Sequence, residues 1–170
     1  TSVDHIPKIV QELRVGFRAG ALNDGTSRRI QLRRLRALFV EQEDRILDAL
    51  AADVGKPRIE AYTSEIAFTI NEIDHTLQHL NAWTKPKKIG VPITFKPGKA
   101  MLRPEPLGTV CIIAPWNYPF NLCIGPLVSA IGAGCTAILK PSEHTPNTAN
   151  LIEKMISELF HEKEISVVKG

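Results

Sequence analysis

The segment "TVCIIAPWNYPFN" (Thr109–Asn121) joins an apolar run to a turn that holds an amide between two aromatic rings and two prolines. Its first six residues are typical of a parallel strand that is buried on both faces. A turn that only reverses the chain does not need Trp116, Asn117 and Tyr118 between prolines. The segment therefore predicts a buried strand that ends in a loop built to fix one side-chain amide in place.

The residues that follow alternate between helical and strand patterns. The segments are "PLVSAIGAG" (126–134), "TAILK" (136–140), "TPNTANLIEKMISELF" (145–160) and "ISVVKG" (165–170). Pro126 is expected in the first turn of one helix, and Thr145 and Pro146 are expected as N-cap and first residue of the next. Two successive crossovers between parallel strands form half of a doubly wound nucleotide-binding domain. We therefore predict an α/β fold in which residues 107–170 form this βαβαβ unit.

Residues 1–84 show helical spacing of apolar residues. The stripes are Ile30, Leu35, Leu38 and Phe39; Ile46, Leu47, Leu50 and Val54; and Ile59, Tyr62, Ile66, Ile70, Ile73, Leu77, Leu80 and Trp83. Gly55 and Pro57 predict the end of the second helix, and a long third helix is expected from about Arg58. Residues 1–84 are therefore predicted to form a helical N-terminal part of the chain.

Residues 85–106 have a different composition, in which five prolines exclude a helix. The pieces "VPITF" (91–95) and "KAMLRPE" (99–105) predict short extended segments, which the prolines confine to sheet edges. We expect this stretch to be a solvated linker or an exposed arm.

Composition excludes several classes of protein. The chain has 170 residues, of which 44% are hydrophobic, and a net charge of +3, which is too small to indicate a nucleic-acid or membrane partner. No apolar run has the length of a membrane span, and the first residues do not resemble a signal peptide. Cys111, Cys123 and Cys135 lie in apolar segments without zinc-ligand spacing, which predicts reduced, buried thiols, no metal site and a cytoplasmic protein.

Polar residues at the predicted strand ends are the candidates for chemistry, because ligands of doubly wound sheets bind there. Lys140 and Glu143 can hold a ribose or phosphate, or can form a surface ion pair. Asn117 can donate a hydrogen bond to a developing oxyanion, or can serve as a turn residue that satisfies nearby backbone. Trp116 and Tyr118 can equally cap a core. The glycine fingerprint of dinucleotide-binding loops is absent after the first strand.

An arginine cluster gives a further alternative. Its members are Arg28, Arg29, Arg33, Arg34 and Arg36. They can form an RNA- or DNA-binding helix, or the solvated face of an amphipathic helix that is neutralised by the acidic residues nearby.

The stretch "PLGTVCIIAPWNYPFNLCIGPLVSAIGAGCTAILKPSEHTP" (106–146) resembles the aldehyde dehydrogenase superfamily, and "PWNYPFNL" together with "LKPSE" carries the resemblance. Upstream, "RRLRALF", "ALAADVGKPRIEAYTSEI" and "EPLGTV" resemble its class 3-like branch. The similarity runs from about Val15 to Gly170. It implies a variant of the Rossmann fold that binds the pyrophosphate of NAD with elements later in the chain than those seen here. It also implies that residues 1–84 are the helical N-terminal part of the cofactor-binding domain, and that residues 85–106 form the arm by which this superfamily extends a sheet to a partner subunit.

The resemblance also implies residue roles. Asn117 matches the amide that forms the oxyanion hole together with the backbone N–H of the catalytic Cys. Lys140 and Glu143 match the pair that holds the adenosine ribose of NAD, and Ser142 belongs to the same cofactor set. Ile113, Ala114, Pro115 and Trp116 match the strand end along the cofactor. Tyr118 matches a residue that lines the aldehyde passage.

The resemblance implies that a Cys thiolate and a general-base Glu further along the chain complete the reaction. The thiolate adds to the aldehyde, and the resulting thiohemiacetal is oxidised to an acid. None of the three cysteines here matches that nucleophile, so the 170 residues are expected to be inactive alone. The expected cofactor is NAD, with NADP as an alternative, and the expected assembly is a homodimer. The other interpretation is a truncated, non-catalytic nucleotide-binding or interaction module.

Overall fold

The computed structural model describes all residues from Thr1 to Gly170. Its helices are α1 (Ile6–Arg18), α2 (Gly25–Glu41), α3 (Glu43–Val54), α4 (Arg58–Ala61), α5 (Phe68–Thr84), α6 (Asn121–Ala133) and α7 (Pro146–Leu159). A π-helical turn (Tyr62–Ala67) joins α4 to α5, and short 3-10 turns lie at Val3–His5 and Ile93–Phe95. The strands are β1 (Lys87–Ile89), β2 (Ala100–Leu102), β3 (Thr109–Ile113), β4 (Thr136–Lys140) and β5 (Ile165–Val167). None of the helices combines the length and the apolar character needed to cross a membrane.

The central feature is a parallel sheet with the strand order β3-β4-β5. Its register places Ile113 opposite Lys140, and Leu139 opposite Val167. The pairing continues past β3, because the N–H of Ala114 donates to the carbonyl of Lys140 at 3.0 Å. The predicted α/β fold with part of a parallel sheet is therefore confirmed, and the carboxyl ends of the strands meet at one edge.

Helices cover the two faces of this sheet unequally. Alternate residues of β4 point to opposite faces, so Ala137 and Leu139 join the large core with α6 and α7, whereas Ile138 packs with Leu13 of α1. That large core contains 28 buried residues and includes residues of α2, α3 and α5 as well as of the sheet. The predicted division at residues 84 and 106 stays a prediction.

Strand β3 differs from its prediction. Ile112 is buried in the large core, but Cys111 is exposed and Ile113 is 73% exposed on the opposite side of the strand. On that face Ile138 and Val168 pack with Leu13 of α1, but no helix of this chain covers Cys111 or Ile113. The expectation that all three cysteines are buried is therefore wrong for Cys111, whereas Cys123 and Cys135 are buried and all three thiols are free.

The long predicted helix from Arg58 is present but is interrupted by the π-helical turn. Ile66, Ile73 and Leu80 are buried, whereas Ile59 is 82% exposed. A π turn has more residues than an α turn, so it rotates the residues before it away from the stripe that follows it. On α2, Ile30 is half exposed, so it does not belong to the core stripe that contains Leu35.

Three further local features can be compared with their predictions. Helix α6 begins at Asn121, so Pro126 lies inside it and not in its first turn. The extended segment expected at residues 91–95 is wrong, because Ile93–Phe95 form a 3-10 turn. The one expected at residues 99–105 contains β2, which pairs with β1 as an antiparallel ribbon. Gly55 does end α3 in the left-handed conformation at φ 65°, as the sequence predicts.

The arginine cluster is largely structural. Buried Arg28 donates to the carbonyls of Leu22 at 2.7 Å and Gly132 at 3.2 Å, and burial lowers the pKa of its guanidinium. Arg29 donates to the carbonyl of Leu77 at 2.8 Å. Arg36 forms a bidentate ion pair with Asp74 of α5. Arg33 and Arg34 are exposed. The other three arginines make contacts within the chain, which does not favour the alternative of a nucleic-acid-binding helix.

The start of α7 is capped from another helix. Thr145 occupies the N-cap as predicted, but its side chain makes no capping hydrogen bond. Instead, the carboxylate of Asp53 accepts the N–H groups of Asn147 at 3.1 Å and Thr148 at 2.7 Å. Partial burial acts to raise the pKa of Asp53, but the hydrogen bonds from Thr148 and Asn147 outweigh it and hold the pKa below its usual value.

The first prediction concerns this cap. Replacing Asp53 with Ala should lower the free energy of unfolding by about 1 kcal/mol at neutral pH. Because the native pKa of Asp53 is depressed, its contribution is full above the unfolded-state pKa and is lost as the pH falls through the native value. The difference between wild type and Asp53→Ala in urea denaturation should therefore shrink below about pH 4. Asp48→Ala, on the same helix in an exposed pair with Arg58, is the control and should show a smaller loss.

Candidate functional site

The predicted cofactor residues lie at the shared edge of β3 and β4. Ile113 is 73% exposed and Trp116 is 57% exposed, and Pro115 is exposed between them. Ala114 is buried, so it can contribute backbone and shape at this edge but little side-chain surface. Together the exposed residues give an apolar surface at the end of β3.

A charged pair lies at the end of the neighbouring strand. The ammonium of Lys140 contacts the carboxylate of Glu143, and this hydrogen bond is the main cause that lowers the pKa of Glu143. Ser142 lies between them, is buried, and accepts the N–H of His144 through its hydroxyl at 3.2 Å. A cleft of about 250 Å³ borders Ser142, Glu143 and Gly170. Glu143 is therefore available to a ligand in the cleft, with the ammonium of Lys140 in contact with it, whereas the hydroxyl of Ser142 is engaged in the turn.

Asn117 lies in the loop between β3 and α6, with its backbone fixed and its side chain exposed. Its carbonyl oxygen accepts a hydrogen bond from the ammonium of Lys56 at 3.1 Å. No hydrogen bond joins its side-chain amide to the rest of the chain. A turn residue of the kind that the sequence left open would use that amide on nearby backbone, so the amide is free to serve a ligand.

Lys56 is a buried cation that contacts this loop in two places. Besides the Asn117 carbonyl, its ammonium lies 3.8 Å from the centre of the Tyr118 ring. Its ionic partner is Glu65, and the exposed fractions of the two side chains are 9% and 0%. The Tyr118 ring is thereby fixed on one side while it remains 38% exposed on the other.

Glu65 holds the other end of the loop. One of its carboxylate oxygens contacts Lys56, and the other accepts the N–H groups of Phe120 at 2.9 Å and Asn121 at 3.1 Å. These are the first free N–H groups of α6, where a negative charge is favoured. This contact explains why α6 starts five residues before Pro126.

The π-helical turn places Glu65 and supplies a second link to α6. The amide of Asn121 donates to the carbonyl of Ser64 at 3.2 Å. The hydroxyl of Ser64 donates to the carbonyl of Glu60 at 2.7 Å, and the hydroxyl of Thr69 donates to the carbonyl of Glu65 at 2.6 Å. Turns of this kind are frequent at functional sites because they reorient one stretch of a helix.

Sequence reasoning did not identify Lys56, Glu65 or Asn121 as site residues. Glu65 follows Tyr62 by three positions, so it lies at the border of the predicted apolar stripe of its helix, where a carboxylate needs a partner. That was the one local signal. The partners of Glu65, Phe120 and Asn121, lie 55 and 56 residues further along the sequence. No local sequence pattern points to them.

The three cysteines differ in their availability for chemistry. Burial raises the pKa of Cys123 to about 12, which keeps it a protonated, unreactive thiol. Cys135 is also buried, at the start of β4. Cys111 is exposed on the open side of β3. No hydrogen bond joins a base to any of these thiols, although the guanidinium of Arg28 lies near enough to Cys135 to interact with it electrostatically.

Comparison with known proteins places this geometry in a family. Residues 1–170 match the model of the aldehyde dehydrogenase family. The chain is 44% identical over 154 residues to the 4,4'-diaponeurosporen-aldehyde dehydrogenase of Staphylococcus aureus, covering 91% of this chain and 34% of that protein. It is 40% identical over 161 residues to aldehyde dehydrogenase family 3 member B2 of Mus musculus, covering 95% of this chain and 34% of that protein.

Solved structures agree with the sequence relatives. The substrate-bound state of Staphylococcus aureus AldH superposes with a TM-score of 0.94 at 41% identity and covers 97% of this chain and 36% of that one. An aldehyde dehydrogenase of Bacillus cereus in complex with NAD⁺ superposes with a TM-score of 0.87 at 26% identity, covering 98% of this chain and 34% of that one. The chain thus spans about a third of the length of these relatives. It belongs to the aldehyde dehydrogenase family, in which its relatives include members of class 3.

Proposed function

We propose that this chain supplies part of the NAD site and one oxyanion donor of an enzyme that oxidises an aldehyde to a carboxylic acid. The observation that carries the proposal is the free side-chain amide of Asn117, on a loop whose backbone is fixed by Lys56 and Glu65. The family membership and the names of the relatives support the reaction class. The chain covers about a third of the length of these relatives, so the proposal concerns the activity of the whole protein.

The residues at the strand ends fit a nicotinamide dinucleotide. Ile113 and Trp116 offer apolar surface, and Lys140 with Glu143 offers a donor and an acceptor for ribose hydroxyls beside the 250 Å³ cleft. When bound, NAD would supply the hydride acceptor. Pro115 and the backbone of Ala114 would complete the contact surface, and Ser142 would keep the turn between Lys140 and Glu143 in shape through its bond to His144.

Asn117 would act on the aldehyde itself. Its amide would donate to the carbonyl oxygen as negative charge develops there, which stabilises the transition state more than the ground state. Tyr118, fixed against Lys56 on one face, would line the passage along which the aldehyde enters. The nucleophilic Cys and the general base are assigned to no residue of this chain.

Two further features belong to the proposal. The buried free thiols of Cys123 and Cys135 are those expected of a reducing compartment, which supports a cytoplasmic location. The ribbon of β1 and β2 exposes Ile89, Met101 and Leu102 by more than half. Such an apolar edge is suited to pairing with a second copy, which supports a homodimer.

The prediction for Asn117 uses the full-length protein. Asn117→Ala should lower kcat by about 10²–10³-fold, the usual effect of losing one oxyanion donor, with NAD affinity and melting temperature almost unchanged because the amide makes no bond within the chain. Asn117→Asp should be at least as damaging, since it puts a carboxylate beside the oxyanion. Steady-state kinetics, an NAD titration and a melting curve on the same preparations test this. Asn81→Ala, on the exposed side of α5, is the control.

Full activity of Asn117→Ala would overturn the assignment of the oxyanion donor. Unfolding of Asn117→Ala would return the residue to the role of a turn former needed for packing.

The prediction for Glu143 concerns cofactor choice. A carboxylate that faces the ribose repels a 2′-phosphate, so NAD should be preferred to NADP without exclusion. Glu143→Gln should shift the ratio of kcat/KM values for the two cofactors toward NADP. Glu158→Gln, which removes the acidic partner of Lys154 on α7, is the matched control and should leave the ratio unchanged. An unchanged ratio in Glu143→Gln would contradict the role proposed for Glu143.

The prediction for assembly uses sedimentation of the full-length protein at micromolar concentration. We expect the mass of a dimer, and Met101→Glu should shift it toward the monomer because it puts a charge on the apolar ribbon. Val40→Glu, which charges a half-exposed apolar residue on α2, should leave the mass unchanged. A monomeric wild type would contradict the proposal.

A further inference from the structure

We propose that Lys56 and Glu65 are positioning residues. Through their contacts with the loop between β3 and α6, they hold the amide of Asn117 at the reacting carbonyl. This inference deepens the proposed function and rests on it. Neither residue faces the open surface of the site, because their side chains are 9% and 0% exposed. They act through Asn117 and α6, and they take no part in the chemistry themselves.

The first step of the argument is the distribution of the contacts of Lys56. An ammonium group has three N–H donors. In the structure its neighbours are the carboxylate of Glu65, the carbonyl of Asn117 at 3.1 Å and the ring of Tyr118 at 3.8 Å from its centre. Two of these three neighbours belong to the loop. They lie on consecutive residues, Asn117, which carries the proposed donor amide, and Tyr118, which lines the proposed aldehyde passage. Lys56 thus fixes the backbone of Asn117 while leaving its side chain free.

The second step is that Glu65 fixes the point where the loop becomes a helix. Its carboxylate accepts two N–H groups, those of Phe120 and Asn121. Phe120 is in turn buried against Phe39, with ring centres 5.1 Å apart. The loop from Ala114 to Asn121 is thereby held at its start by the sheet, at Asn117 by Lys56 and at its end by Glu65.

The third step is energetic. A buried ion pair costs desolvation energy and is often no more stabilising than apolar residues of the same volume. Stability alone therefore gives little reason for this pair. Its directed hydrogen bonds do what an apolar pair would not, because they fix the carbonyl of Asn117 and the N–H groups of α6 in defined directions. Catalytic groups lose rate steeply with displacement, by up to about 10²-fold for about 1 Å.

The test separates positioning from stability with a double variant of the full-length enzyme. Lys56→Met alone leaves Glu65 without its cation and should lower the melting temperature. Lys56→Met/Glu65→Gln removes both charges at nearly constant volume and should recover part of that melting temperature. We expect kcat to stay about 10- to 100-fold below wild type in both, with NAD affinity changed little. Arg36→Met/Asp74→Asn, a pair between α2 and α5 away from the loop, should leave kcat unchanged.

Coupling to Asn117 gives a readout that a purely structural role would not move. In an Asn117→Ala background, Lys56→Met/Glu65→Gln should lower kcat by less than about threefold, because the group it positions is already absent. Hydrogen exchange of the peptide that contains Phe120 and Asn121 should be faster in the double variant than in wild type. Normal kcat in the double variant, or losses that multiply fully with Asn117→Ala, would overturn the inference. Full activity of Asn117→Ala alone would instead overturn the proposed function.

Discussion

The ion pair between Lys56 and Glu65 is the interaction on which the candidate site depends. It joins the segment between α3 and α4 to the π-helical turn, and its two residues also bond to the backbone of Asn117 and to the first N–H groups of α6. Without it, the loop after β3 would be anchored by the sheet at one end and by the packing of Phe120 at the other. The N-terminal helices are therefore part of the site, although none of the proposed catalytic or cofactor residues lies on them.

The parallel sheet determines where this loop stands relative to the charged pair on the neighbouring strand. The register that pairs Ile113 with Lys140 brings the end of β3 beside the turn that carries Glu143. An apolar surface, a cation and a carboxylate thus lie along one edge, and the free amide of Asn117 projects from the loop that follows. This arrangement is the physical basis for the proposed binding of NAD along the edge and of the aldehyde at Asn117.

The parts of the fold that the sequence predicts correctly are those with local causes. Continuous apolar runs identify β3 and β4, the left-handed Gly55 ends α3, and Thr145 with Pro146 begins α7. Where a distant group decides, local reasoning fails. The N–H groups of α6 bond to Glu65, so the helix starts earlier than Pro126 suggests. Cys111 is exposed because α1 packs on the neighbouring strands of that face and does not cover it.

The candidate site divides in the same way. Asn117, Lys140 and Glu143 are candidates because they follow predicted strands, at the end of a sheet where ligands bind. Their residue types alone also allow a turn or a surface ion pair, and it is the resemblance that gives them roles. Lys56 and Glu65 are not recognisable, because each looks like an ordinary charged residue of a helical region until the chain is folded. Their bonds to the loop span 61 and 55 residues, and only tertiary structure joins them.

The most direct test of the central claim is a crystal structure of the full-length protein with NAD and an unreactive aldehyde analogue. The account predicts that the side-chain amide of Asn117 lies about 2.7–3.1 Å from the carbonyl oxygen of the analogue. It also predicts that Lys56 still donates to the Asn117 carbonyl, and that Lys140 and Glu143 contact a ribose. An Asn117 amide turned away from the analogue, on a loop that has released Lys56, would contradict it.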